Sequence, residues 1–140
     1  METFKWSSIY EVGIPKVDAQ HKMFVDLANT LFAAMLSHTA VDVDSTLDTL
    51  LTYAKEHFQT ELELMQASNY PNMDAHVSAH DKLMQRLQLV CVSSKQDTPH
   101  AFTIRMSAFM RDWVLGHLLQ EDRKLYSYLR DTGAAPLEEK

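Results

Sequence analysis

Seven side chains in this sequence have the types and spacings needed to hold metal. In HFQTE, His57 and Glu61 stand four residues apart, so a helix presents both on one face. HVSAH repeats that interval with His76 and His80, HLLQED carries His117 and Asp122 five residues apart, and His21 closes VDAQH. All five histidines fall where apolar residues recur at helical spacing. A single histidine on such a stripe is more often a satisfied core residue than a ligand. Five on four stripes are a different matter, because each buried imidazole costs roughly 1–3 kcal/mol for every polar group left unpaired. A core of mostly Leu, Met and Phe offers few partners, whereas a metal ion satisfies imidazole directly.

Five imidazoles and two carboxylates exceed what one tetrahedral zinc takes. Two metals are the natural count. If both carboxylates and one solvent oxygen bridge them, each metal receives three oxygens before any histidine is added. Three histidines then complete six-coordination on one metal, and two leave the other at five, with one position vacant for a small ligand. Imidazole and carboxylate suit iron, and magnesium or calcium would want oxygen alone; manganese and zinc stay open on spacing.

The elements that must position these groups are helices. His21, Phe24, Ala28, Phe32 and Met35 define a first helix from Asp18, a capping residue type, to about Ser37. Leu47, Leu50, Ala54, His57, Glu61 and Leu64 define a second, ending near SNYP, where Asn69 can adopt a left-handed conformation and Pro71 blocks continuation. Met73, His76, His80, Leu83, Leu87 and Val90 make the third. The fourth opens at Asp97-Thr98-Pro99 and runs through Phe102, Met106, Phe109, Trp113 and His117 toward Tyr128.

The pattern predicts an all-α fold, an antiparallel up-down-up-down four-helix bundle forming one domain over residues 1–140. An extended N-terminal arm covers 1–17, the bundle about 18–130, and a frayed tail 131–140. Within the bundle, Glu61 continues an apolar stripe and is expected to be buried. Five residues turn an ideal α-helix by about 140° relative to the starting face. His117 and Asp122 can therefore both face inward only if the helix is distorted between them.

Composition narrows the function classes. The chain has 140 residues, 46% hydrophobic and 23% charged, with only 3 Gly and 4 Pro, which suits a folded protein of long helices. A net charge of -6 without a basic cluster argues against nucleic acid. The single cysteine, Cys91, has no internal partner and reads as a small core residue in a reducing compartment. No apolar run reaches signal-peptide or membrane-spanning length, so a cytoplasmic protein without membrane insertion is expected.

The motifs together resemble the hemerythrin family, in particular its bacterial single-domain members, the bacteriohemerythrins. The resemblance rests on Trp6 with VGIPKVDAQH, HFQTE, NYPNMDAH with HVSAH, and WVLGHLLQED, and it covers nearly the whole chain. It implies two iron ions. His76, His80 and His117 would hold the saturated iron, His21 and His57 the iron with the open position, and Glu61, Asp122 and an oxo or hydroxo group would bridge them. It further implies reversible O2 binding, with the protein fixing ligand geometry and excluding water. Phe58, Trp113, Val114 and Leu118, next to the ligands in sequence, would line the O2 pocket. Two positions depart from the family pattern. Val114 replaces the usual leucine, giving a slightly larger pocket, and Leu125 stands where a tyrosine commonly follows the bridging aspartate, with Tyr126 next.

Three functions fit such a centre. The first is a non-catalytic O2 binder for carriage, storage or scavenging. A second is an O2 or redox sensor acting through a separate partner protein, since no output domain accompanies the motifs. The third, a di-iron oxidase or peroxidase, is disfavoured because oxygen-activating bundle sites use Glu-x-x-His pairs and are carboxylate-rich. This sequence contains no Glu-x-x-His and is dominated by neutral imidazole.

Overall fold

The computed structural model describes residues 4–39 and 41–133, and among these it contains helices and no strand. Long helices span Pro15–Leu36 (α1), Val43–Ser68 (α2), Met73–Ser94 (α3) and Pro99–Asp112 (α4). A π-helical segment, Trp113–Glu121, continues α4 without a break into α5, Asp122–Thr132, so the last three pieces form one long rod. The predicted four-helix architecture is therefore present.

Helix starts and stops follow local chemistry. Asp42 caps α2 by accepting from the Ser45 amide at 2.8 Å, and the Thr98 hydroxyl accepts from the Ala101 amide at 3.1 Å, with Pro99 in the first turn of α4. Asn69 ends α2 with φ 54°, in the left-handed region. The first helix starts earlier than Asp18. It begins at Pro15 after Ile14, whose side chain supplies no cap, and the Asp18 carboxylate instead accepts from the Val12 amide at 2.7 Å. Proline's fixed φ nucleates the turn and leaves Asp18 free to tie the incoming chain down.

The arm is accordingly shorter than expected, and it is bonded to the bundle. Residues Ser8–Tyr10 form a 3-10 turn, and Gly13, at φ 87°, redirects the chain into α1. Phe4 donates to and accepts from the Asn29 side chain at 2.7 and 2.6 Å. At the other end, α5 runs on through Asp131 and Thr132 to a left-handed cap at Gly133, so the onset of the tail at 131 is corrected; residues 134–140 lie outside the described part.

Two apolar clusters occupy the bundle interior. One contains Phe24, Leu31, Leu50, Leu87, Phe102, Met106, Phe109 and Trp113; the other contains Ile14, Val17, Leu64, Met65, Tyr70, Leu125 and Leu129. The polar cluster described next lies between them in sequence register on every helix. Cys91 is half-buried against the first cluster. Among the described residues, no helix is long and apolar enough to cross a membrane.

Candidate metal centre

Each of the four long rods contributes to one buried layer: His21 from α1, His57 and Glu61 from α2, His76 and His80 from α3, and His117 with Asp122 from the π segment and α5. All seven are 5% exposed or less, and His57, Glu61 and Asp122 are fully enclosed. Helical spacing explains the pairs on α2 and α3, and the π segment explains the last pair. A π-helix hydrogen-bonds from i to i+5, so residues five apart lie nearly above one another and both reach the interior.

The two carboxylates sit between two sets of histidines, each offering one oxygen to each set. Glu61 Oε1 lies 2.8 Å from His76 Nε2 and 2.9 Å from His80 Nε2, while its Oε2 lies 3.3 Å from His57 Nε2. Asp122 Oδ1 approaches His117 Nε2 at 2.8 Å and His76 Nε2 at 3.4 Å; its Oδ2 approaches His57 Nε2 at 2.9 Å and His21 Nε2 at 3.4 Å. Two groups of potential ligand atoms result, Glu61-His76-His80-His117-Asp122 and His21-His57-Glu61-Asp122, sharing both acids.

Hydrogen bonding fails to satisfy this arrangement. Among the described residues, His21 Nε2, His117 Nε2 and Asp122 Oδ1 are buried without a hydrogen-bond partner, although the last two are only 2.8 Å apart. Close approach without alignment is what donors show when their lone pairs converge on a third point. Imidazole nitrogen and carboxylate oxygen are also the donor types of first-row transition metals. The residues fit a two-metal centre.

Charge tells the same story. Burial pulls the pKa of His57 down, but Glu61 and Asp122 overcome it and push it up to about 10. His76, also opposed by burial, is raised to about 9 by hydrogen bonds to Asp122 and Glu61 and by their charge. Burial dominates at His80, which is lowered. Burial and Asp122 act to raise Glu61, yet the neighbouring His57 charge and hydrogen bonds hold it well below the usual carboxylate range; for Asp122 burial is outweighed chiefly by His117 and His57. Without cations, protons must compensate the two buried acids.

The far nitrogens are held from outside the layer. His21 Nδ1 donates to the Tyr10 carbonyl at 2.8 Å, so the N-terminal turn orients that ring. His57 Nδ1 donates to Gln20 Oε1 at 2.8 Å, and Gln20 in turn donates to Thr60 Oγ1 at 3.1 Å. Such contacts leave Nε2 free of its proton for metal. The Tyr126 hydroxyl donates to Glu61 Oε2 at 2.9 Å. Burial, then the charges of Glu61 and Asp122, push its pKa well above the phenol value, so it remains a donor. Sequence reasoning missed the Tyr10 carbonyl and Gln20, and it named Tyr126 only as the residue next to Leu125, without this contact. Tyr126 was findable, because four residues after Asp122 places it on the same face of α5.

Of the predicted O2-pocket residues, Trp113, Val114 and Leu118 are buried in one apolar cluster, and Phe58 is half-buried against it. Phe58 stacks on His80, with ring centroids 3.9 Å apart, and on Trp113 at 5.4 Å. It thus covers the three-histidine side most closely. On the two-histidine side the His57 ring meets His21 at 5.2 Å and Phe24 at 5.5 Å, and Phe24 also meets Trp113 at 4.9 Å. Phe24 therefore packs directly against a histidine of the layer, although its sequence position reads only as a core residue.

Comparison with known proteins places these observations in context. Residues 12–129 match the family described as hemerythrin HHE cation binding domain. A bacteriohemerythrin of Methylococcus capsulatus is 30% identical over 131 residues, covering 90% of this chain and 95% of that protein. A bacteriohemerythrin of Clostridium acetobutylicum is 24% identical over 86% of this chain and 97% of its own length, and a myohemerythrin of Theromyzon tessulatum is 24% identical over 88% and 91%.

Proposed function

This chain belongs to the hemerythrin family, and from that premise we propose that it binds O2 reversibly at a non-heme di-iron centre built from the seven buried side chains. His76, His80 and His117 would hold one iron, and His21 and His57 the other, with Glu61 and Asp122 offering an oxygen to each. When bound, the iron pair supplies the electrons that make O2 binding reversible and coloured; the protein supplies everything around it.

The observation that carries this reading is the split of both carboxylates, each with one oxygen toward the three-histidine set and the other toward the two-histidine set. A structural ion-pair network has no need of that symmetry, and a single metal would use only one face. With three histidines on one side and two on the other, a ligand position left for O2 would fall beside His21 and His57. Around it, Phe24, Trp113, Val114 and Leu118 exclude water with fully or nearly fully buried apolar surface.

The chain's own residues act by positioning. The Tyr10 carbonyl and Gln20 fix the two rings beside the open position, and Tyr126 keeps Glu61 oriented across the pair. No side chain of the layer is an activated nucleophile, and the imidazole-rich shell favours binding over cleavage of O2. Carriage, storage or scavenging of O2 fits this chemistry.

Metal analysis after anaerobic iron loading tests the reading. About two irons per chain are expected, falling on His76→Ala or His80→Ala. One zinc per chain, or iron content unchanged in both variants, would overturn it.

A further inference from the structure

The two histidines outside the buried layer, His38 and His100, also face each other. Their rings come from different elements, His38 from the turn after α1 and His100 from the first turn of α4, with centroids 4.8 Å apart and planes inclined by 31°. His38 is exposed and His100 half-buried. Each lies seventeen residues along its rod from a member of the buried layer, His21 or His117, which at 1.5 Å rise per residue is about 25 Å. The pair therefore marks the opposite end of α1 and α4 and shows that these two helices run antiparallel.

Two features set this pair apart from casual ring packing. His38 is held at φ 56°, a left-handed backbone uncommon for a residue with a Cβ. The turn that holds it is bonded on both sides, with the Thr39 amide donating to the Ala34 carbonyl at 2.9 Å and the Ser37 and Thr39 hydroxyls joined at 2.8 Å. In addition, His100 Nδ1 is covered from solvent and has no hydrogen-bond partner among the described residues. An unpaired, covered imidazole nitrogen beside a second imidazole is a donor atom open to a metal ion.

We propose that His38 and His100 form a second metal site, separate from the di-iron centre, for a late first-row divalent cation: Cu2+ most tightly, with Ni2+ and Zn2+ weaker. Imidazole is a preferred donor for these ions, which bind more tightly than Fe2+ or Mn2+ to a given nitrogen site. Two protein nitrogens with solvent completing the shell make an open site, and no carboxylate is among the ligands to favour harder cations. A bound cation ties the α1–α2 turn to the start of α4.

Cu2+ titrated into the iron-loaded full-length protein tests this, followed by calorimetry and by copper electron paramagnetic resonance, with iron content measured throughout. One saturable equivalent is expected, its spectrum split by two nitrogens. His38→Asn keeps the left-handed turn, since asparagine tolerates that conformation, and His100→Gln keeps the helix; each should weaken Cu2+ binding by at least about tenfold. Cu2+ should also raise the melting temperature of the parent protein and not that of either variant, while both variants retain parental helicity and iron. Absence of a saturable equivalent, equal binding by both variants, or copper uptake only in step with iron loss would each overturn the proposal.

Discussion

Replacing Tyr126 by phenylalanine removes one hydroxyl and leaves the ring among Ile14, Val17, Leu64, Met65, Leu125 and Leu129. That hydroxyl makes a 2.9 Å bond to a fully buried carboxylate oxygen, Glu61 Oε2, which also lies 3.3 Å from His57 Nε2. Hydrogen bonds to charged groups contribute about 1.5–3 kcal/mol, and burial denies Glu61 a water substitute in the variant. A loss of about 2 kcal/mol in the metal-free protein follows, equivalent to a melting temperature lower by roughly 4–8 °C for a chain of this size. Urea unfolding followed by far-ultraviolet circular dichroism measures it, with the slope m unchanged and the midpoint lowered. In the loaded protein Glu61 also loses its restraint, and iron affinity should fall by about 10–100-fold. A Tyr126→Phe variant within about 0.5 kcal/mol of the parent, with unaltered iron affinity, would refute the role given to this bond.

Other consequences are equally open to measurement. Gln20→Leu removes the acceptor for His57 Nδ1 and should weaken iron binding by about 10–100-fold with little change in helicity, read by competition with a chelator. In the metal-free protein His57 has its pKa raised to about 10, above the ordinary value near 6.5. Its stabilising contribution is thus complete below about pH 6.5 and lost as pH rises toward 10, so urea midpoints should fall across that window and stay level when metal replaces the proton. Loading at pH 7 should accordingly release about two protons, from His57 and His76, detectable in weak buffer with an indicator. Asn69→Ala places a Cβ-bearing residue without a compensating side-chain amide at φ 54° and should cost about 1 kcal/mol in unfolding experiments, whereas Asn69→Gly should be near neutral.

Much of this architecture is written as periodicity. The stripes containing His57-Glu61 and His76-His80 are legible because a helix repeats its face every three to four residues, and burial follows from the apolar residues between them. The interval from His117 to Asp122 is legible as a conflict, five residues where α-helical geometry wants three or four, and the π segment resolves it. What stayed hidden depends on where side chains reach between elements. Gln20 is the neighbour of a ligand in sequence yet serves a histidine on another helix, and His21 is oriented by a backbone carbonyl, which no residue type advertises. Asp18 looks like a cap because capping residues are also the residues that bond loop amides, and here it does the latter. Phe24 lies on the first stripe and Phe58 beside the second, and only the packing sets Phe24 against His57 and Phe58 against His80.

The central claim, reversible O2 binding at a centre formed by these seven residues, is tested most directly by the visible spectrum of the reduced, iron-loaded protein through repeated exposure to O2 and its removal. Colour should appear with O2 and fade when O2 is withdrawn, over successive cycles without loss of amplitude. Permanent oxidation at the first exposure, or no spectral response to O2, would contradict it.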